Sequence, residues 1–237
     1  AHLESSSSKT TLFIDKLSQP SRAVLWFCLN ENIPDFEVKY VQIRKAEQRS
    51  AEFLKINPHG KLPAINDKGF CIGESCSIVR YLSEKYGSKL LPKDLKKKAL
   101  VDVAMDFHHN TLRVGAARTF WFEYMAPVMG TEIDPALRKD ASAILRSALK
   151  GLNKTLSSQK FIASDEITFV DMLVYSEIRQ LDLTDFDFSP FSSLLAWMDV
   201  MAKVPHHDEV FDVLVKLTAA TRKKKAAAQA NQGAAKL

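Results

Sequence analysis

The chain of 237 residues lacks the marks of a membrane, disulfide-stapled or metal-clasped protein. No uncharged apolar run approaches the roughly 18 residues that a membrane span requires, so the chain is expected to be soluble, with no membrane partner. Cysteine is scarce: Cys28, Cys71 and Cys76 form no CxxC pair and leave an odd number. Neither a disulfide framework nor a structural zinc site is supported, and a reducing compartment follows. His108-His109 and His206-His207 lack partner carboxylates at ligand spacing, so packing or surface roles are expected and no metal is. No repeat of fixed period is present. Residues 1–9 have neither an initiator Met nor an apolar core, which excludes a secretory signal and suggests a flexible lead-in.

What is present is an ordinary globular composition, 46% apolar and 26% charged. The net charge of +5 hints at nucleic acid until it is located. Arg222, Lys223, Lys224, Lys225 and Lys236 fall in the last stretch, which holds no acid, and the rest of the chain is balanced. A solvated, flexible tail is therefore expected at 223–237 and no nucleic-acid partner.

The first part of the chain alternates strand and helix. Thr11 to Ile14 is short and β-prone, and Ser18-Gln19-Pro20-Ser21 breaks it with cap and turn residues before an apolar helical face at Val24, Leu25, Phe27 and Cys28. Ile33-Pro34 ends that helix, and Phe36, Val38 and Tyr40 alternate in a second strand. A short helix near Ser50 to Lys55 precedes a hairpin of Leu62 to Ile65 and Phe70 to Ile72, joined by Asn66-Asp67-Lys68-Gly69. Glu74-Ser75 opens a helix with Ile78, Val79 and Leu82 inward, ending near Gly87. Beyond the polar stretch with Pro92 every strong pattern is helical, which marks a domain boundary. Helices are expected over about Leu95 to Tyr124, Pro135 to Ser157, Thr168 to Leu181, Pro190 to Lys203 and His207 to Ala220. Thr168 and Asp171 have the spacing of a capping box, which fixes the start of one buried helix.

Three constellations carry chemistry. Ser18 sits at the amino end of a helix, where unpaired amides and the dipole favour an anion such as a thiolate; alternatively it only caps the helix. Gly60-Lys61-Leu62-Pro63 precedes a strand, and a cis Leu62-Pro63 bond would turn the Leu62 backbone toward a peptide ligand, whereas a trans bond would give a plain edge strand. Glu74-Ser75 could hold an α-amino acid, the amine by Glu74 and the carboxylate by Ser75, or could be a common helix cap.

In order along the chain these motifs resemble the glutathione transferase family, in detail its theta class and plant members in particular, over about residues 10–225. The resemblance rests on Ser18-Gln19-Pro20-Ser21-Arg22-Ala23, Glu52 to Pro58, Gly60-Lys61-Leu62-Pro63, Glu74-Ser75, His108-His109 with Leu112-Arg113, the Thr168 to Asp171 cap and Pro205-His206. It implies a thioredoxin-like glutathione-binding domain (βαβ, α, ββα) over 10–88, an all-helical bundle domain over 95–222 that lines the second-substrate site, and flexible tails. Carried over by position, Ser18 is the catalytic hydroxyl, and Leu62, before Pro63, pairs by its backbone with the cysteinyl part of glutathione. Glu74 and Ser75 hold the γ-glutamyl end, while Gln48, Arg49 and Lys61 fall at the glycine carboxylate.

Asn110 and Arg113 fall where theta enzymes face the second substrate. Arg113 either steadies an anionic leaving group or is an ordinary surface or interface cation. The implied reactions are conjugation of glutathione to small hydrophobic electrophiles and reduction of organic hydroperoxides, by a homodimer with glutathione as cosubstrate and no bound cofactor. Rival readings are a thiol transferase, disfavoured by serine at position 18, and a ligand-binding or scaffolding module without turnover. The terminal Ala235-Lys236-Leu237 matches a peroxisomal address, or matches it by chance in an Ala/Lys-rich tail, so peroxisome and cytoplasm are both expected compartments.

Overall fold

The computed structural model describes residues 9–234, with side chains described to residue 227. The lead-in up to residue 8 and the terminal tripeptide lie outside the described residues. The chain opens with strand β1 (Thr10–Ile14), helix α1 (Gln19–Asn30), strand β2 (Phe36–Tyr40), a short helix α2 (Ala51–Leu54), strands β3 (Ala64–Asp67) and β4 (Phe70–Gly73), and helix α3 (Ser75–Tyr86). The sheet order is β2-β1-β3-β4, with β1 parallel to β2 and antiparallel to β3, and β3 antiparallel to β4. The third strand begins at Ala64, not Leu62, because Pro63 has no amide to offer the ladder. Its turn to β4 places Lys68 and Gly69 both at positive φ, the backbone a tight hairpin demands, and the Asn66 carboxamide accepts from Gly69 N at 2.7 Å.

The period of two along β1 divides its side chains between two cores. Leu12 and Ile14 join the main core under α1 and α3, whereas Phe13 points to the other face, into a small cluster with Val41, Phe53, Leu62 and Ala64. As the edge strand, β2 is only half-covered, and its Tyr40 is 57% exposed.

The second half is helical: α4 (Leu95–Phe107), α5 (Arg113–Phe120) and α6 (Ala126–Val128), then α7 (Pro135–Leu156), α8 (Phe169–Arg179), α9 (Ser192–Met201) and α10 (His207–Ala234). The first three form one rod, joined by π-turns at His108–Leu112 and Trp121–Met125, and this rod passes the expected end at Tyr124. The capping box of Thr168 and Asp171 starts α8, which is buried on every side from Phe169 to Ile178. Helix α10 also differs from expectation: it continues to Ala234 instead of stopping near Ala220 and entering a flexible tail at 223. Its Arg, Lys and Ala are strong helix formers, and Lys225 reaches the exposed Asp185 carboxylate at 2.8 Å.

The two halves share one core, with α1 packed on α8. Trp26 of α1 is fully buried against Tyr175 and Phe211, and its indole N–H donates to the Pro205 carbonyl at 2.7 Å. His207 closes the cluster, stacked on Phe211 and 2.9 Å from the Tyr175 hydroxyl, a packing role as expected. Among the described residues no helix is long and apolar enough to cross a membrane.

Candidate active site

Two helix amino ends meet at a cleft. Its walls come from Pro20 on α1, the Lys61-Leu62-Pro63 segment, residues 74–77 and Arg80 of α3, and the rod of the second half at Met105, Asp106, His108, His109 and Arg113. The cavity is about 410 Å³ in volume. The Leu62-Pro63 bond is cis. Beneath this wall the buried Asn57 carboxamide donates to the Lys61 carbonyl at 2.8 Å and accepts from His59 N at 3.2 Å. The same carboxamide lies 2.7 Å from where a Cβ on Gly73 would stand, so Asn57 joins the segment before β3 to the strand end that leads into Glu74.

Ser18 is the N-cap of α1 and Glu74 the N-cap of α3, yet neither side chain makes a capping bond. Three other polar N-caps do cap, Ser50 accepting from Phe53 N, Asp94 from Lys97 N and Asp134 from Ala136 N, whereas Gln42 before the turn at Ile43–Lys45 does not. The plain-cap reading of Ser18 and of Glu74 is therefore not what the geometry contains. Glu74 also sits at φ 63°, a left-handed conformation that costs a non-glycine residue about 1–3 kcal/mol and that clusters at ligand clamps. Ser18 is 9% exposed and is not among the residues that line the cavity; Pro20, two residues on, is the residue of α1 that does.

Of the other expected residues, Lys61, Leu62, Pro63, Glu74, Ser75 and Arg113 line the cleft. Gln48, Arg49 and Asn110 do not. Arg49 packs over Gly60, beside Lys61, and the Gln48 side-chain oxygen is buried with no hydrogen-bond partner among the described residues. Asn110 is exposed on the π-turn. In its place the structure brings His108 and His109 to the cavity, and the expectation of a packing or surface role for this pair is incomplete. Cys76 also lines it. Burial pushes the Cys76 thiol above its ordinary range, with Arg80 offsetting part of the shift, so this sulfur stays protonated near neutrality.

Arg113 is neither free nor a plain surface cation. Its guanidinium donates to the Glu177 carboxylate, which lies on α8 and is 1% exposed. Burial alone would raise the Glu177 carboxyl, but His108 and Arg113 outweigh it and hold the group below its ordinary value, as an anion. Arg80, on the opposite wall, forms two hydrogen bonds to one oxygen of Asp102 at 3.2 and 2.7 Å and ties α3 to α4. Among the described residues no cluster of three or more His, Cys, Asp or Glu could hold a metal ion.

The family models for the glutathione S-transferase N-terminal and C-terminal domains match residues 16–84 and 104–205. Glutathione S-transferase T1 of Arabidopsis thaliana is 31% identical over 92% of this chain and 94% of its own length. The chain belongs to the glutathione S-transferases, in the theta class. Arabidopsis thaliana glutathione S-transferase T2 is 35% identical over 87% of the chain, which spans only 37% of that relative. A crystal structure of human glutathione transferase theta-2, in complex with glutathione and an unknown ligand, superposes with a TM-score of 0.82 at 29% identity, covering 91% of both chains. The fold is that of the family: a thioredoxin-like domain with a four-stranded mixed sheet, followed by a helical domain.

Proposed function

We propose that this theta-class chain conjugates glutathione to electrophilic carbon and reduces organic hydroperoxides in the cleft between its two halves. The observation that carries the reading is the pair of helix amino ends whose polar N-cap side chains, Ser18 and Glu74, are not spent on capping. Ser18 donates a hydrogen bond from its hydroxyl to the glutathione sulfur and so favours the thiolate, the thiol proton leaving to solvent. A thiol with a pKa near ~8.5 must be lowered by about two units to ionise at neutrality, which needs roughly 2.7 kcal/mol. One hydrogen bond to a charged sulfur supplies about 1.5–3 kcal/mol, and the helix end adds about 0.3–1 kcal/mol.

Leu62, set by the adjoining Pro63, meets the cysteinyl backbone; Glu74 and Ser75 hold the γ-glutamyl end; Lys61 faces the glycine carboxylate from the cleft wall, and Gln48 and Arg49, which do not line the cleft, would have to turn toward it to join. Arg113, with Asn110 nearby on the rod, faces the second substrate, a small hydrophobic electrophile. In conjugation the thiolate forms the S–C bond and the leaving group departs with its electron pair. With a hydroperoxide the thiolate takes the terminal oxygen, releasing the alcohol, and a second glutathione yields the disulfide and water. Thiol transfer through a resident sulfur is disfavoured by serine at position 18 and by the protonated state of Cys76. Pairing with a second copy belongs to the same reading, supported by apolar side chains exposed on β4 and α4 at Phe70, Leu95, Leu100 and Val103.

The test is Ser18→Ala, followed by the ultraviolet absorbance of bound thiolate against pH and by turnover with nitrobenzyl chloride and an alkyl hydroperoxide. The fold and glutathione binding persist, the thiolate appears about two pH units higher, and turnover falls by about a hundredfold. Unchanged turnover in the variant removes Ser18 from the mechanism.

A further inference from the structure

The π-turn at His108–Leu112 performs a specific geometric task. In a regular helix residues five apart point about 140° away from one another, because each step turns 100°. Here Arg113 N–H donates to the His108 carbonyl, an i→i+5 bond, and the extra residue in the turn sets position 113 over position 108. Both side chains then face the same oxygen, Arg113 in a hydrogen bond and His108 at ion-pair distance only, its Nε2 having no hydrogen-bond partner among the described residues. The Arg113 guanidinium donates to Glu177 Oε2, and His108 Nε2 stands 3.5 Å from that oxygen. His108 and Glu177 are both more than nine-tenths buried, while a third of the Arg113 side chain remains open to the cavity.

Glu177 is costly where it is. Its second oxygen, Oε1, is buried with no hydrogen-bond partner among the described residues, and a buried carboxylate without full pairing is destabilising. An apolar residue would serve the core of α8 better, and every neighbouring position of that helix carries a buried side chain. The charge makes physical sense as a fixed anchor for two cavity-lining groups.

We propose that Glu177 is a positioning residue for the second substrate, holding Arg113 and His108 as one wall of the cleft so that the unpaired guanidinium N–H groups and the flat face of Arg113 meet a polarised aromatic electrophile. The inference rests on the proposed use of the cleft for glutathione and a second substrate. The sulfur side is served by α1 and α3; the Glu177 side chain makes no hydrogen bond or ion pair to either among the described residues, and only its charge is felt at Arg22 of α1, so its main effect falls on the part of a ligand beyond the sulfur.

Equilibrium binding to the full chain separates the two sides without requiring turnover. Calorimetry compares glutathione with S-nitrobenzylglutathione for the wild type, Glu177→Gln, Arg113→Gln and the double variant, with circular dichroism and melting as fold checks. The wild type binds the conjugate more tightly than glutathione. Glu177→Gln weakens the conjugate about tenfold and glutathione by less than about twofold, and the double variant is no worse than Arg113→Gln alone.

Additive losses, equal losses for both ligands, or a wild type that gains nothing from the nitrobenzyl group each overturn the proposal. Should Glu177→Gln fail to fold, Arg113→Gln and His108→Gln form the same cycle, and additivity there is equally decisive. Absence of glutathione binding by the wild type refutes the functional reading itself, a result distinct from all of these.

Discussion

Alanine at Gly115 and alanine at Gly151 are the same chemical change, and the structure assigns them opposite signs. Gly115 is buried on α5 where α5 crosses α7; a Cβ there would stand 2.5 Å from Leu145 N, 2.7 Å from its Cα and 3.0 Å from its Cβ. Carbon atoms rest at about 3.5–4.0 Å, so the helices must part by about 1 Å. The atoms met are mostly backbone, and no rotamer change relieves the clash. Overpacking costs about 1–3 kcal/mol, with a backbone collision at the upper end, while alanine in place of glycine within a helix returns about 1 kcal/mol. The net is a loss of about 2 kcal/mol, or a melting point lowered by about 4–8 °C for a chain of this size. Gly151 on α7 meets nothing within 4 Å, so only the propensity gain of about 1 kcal/mol remains and melting rises by about 2–4 °C. Both variants restrict the unfolded chain alike, so that contribution cancels between them. Thermal unfolding of the three proteins at one concentration is the assay. If Gly115→Ala melts as high as wild type, the close approach of α5 to α7 is wrong, and with it the rigid seat of Arg113 at the start of α5.

Asn57→Ala removes the donor to the Lys61 carbonyl and the contact under Gly73; glutathione KM rises several-fold while the nitrobenzyl chloride KM is unmoved, and equal changes in both would count against the local role. Lys16→Met unties the loop before α1 from α10, where Lys16 Nζ donates to the Glu209 carbonyl at 2.6 Å and to Asp212 at 3.0 Å. Burial would raise the Asp212 carboxyl, but Lys16 outweighs it and lowers it below the usual 3.8, so the stabilisation is present above that pH and lost as pH falls through the lowered value. The variant is therefore less stable at neutrality, and its deficit in urea midpoint closes below about pH 4; a deficit that widens in acid contradicts the pairing.

Local chemistry made much of this legible in the sequence. Ser18-Gln19-Pro20 marks a helix start within four residues, Lys68-Gly69 marks a hairpin, and Thr168 with Asp171 marks the start of α8; each signal depends on neighbours along the chain. The π-turn does not. Regular helical spacing pairs Asn110 with Arg113, three apart on one face, whereas the extra residue rotates His108 into that place and leaves Asn110 outside. Nothing in the residues 108–112 announces the shift, which is decided by packing of the rod against α7 and α8. Glu177 was hidden for a related reason: within a helix buried on all sides, one acid looks like a surface position until its partners from another helix are known. The end of α10 lies beyond the sequence expectation because a basic, alanine-rich run serves equally as a solvated tail or as a strong helix former.

The position of Ser18 is set by the second half of the chain as much as by the first. The loop before it is held by the Asp15 carboxylate, which accepts from Leu17 N at 2.8 Å and from Ile43 N at 2.9 Å. Arg22, one turn into α1 and fully buried, donates back to the Lys16 carbonyl at 2.8 Å and outward to Ser176 and Gln180 at 2.9 and 2.8 Å. Burial lowers its guanidinium to about 9, with Glu177 nearby opposing the shift, so it remains a cation at neutrality. If Ser18 has the proposed role, a backbone held in this way on both sides of it keeps the reorganisation small as charge gathers on the sulfur, the condition under which one hydrogen bond is worth most. Substitutions on α8 or α10 that loosen Lys16 or Arg22 are therefore expected to alter thiolate formation without touching any residue of the cleft.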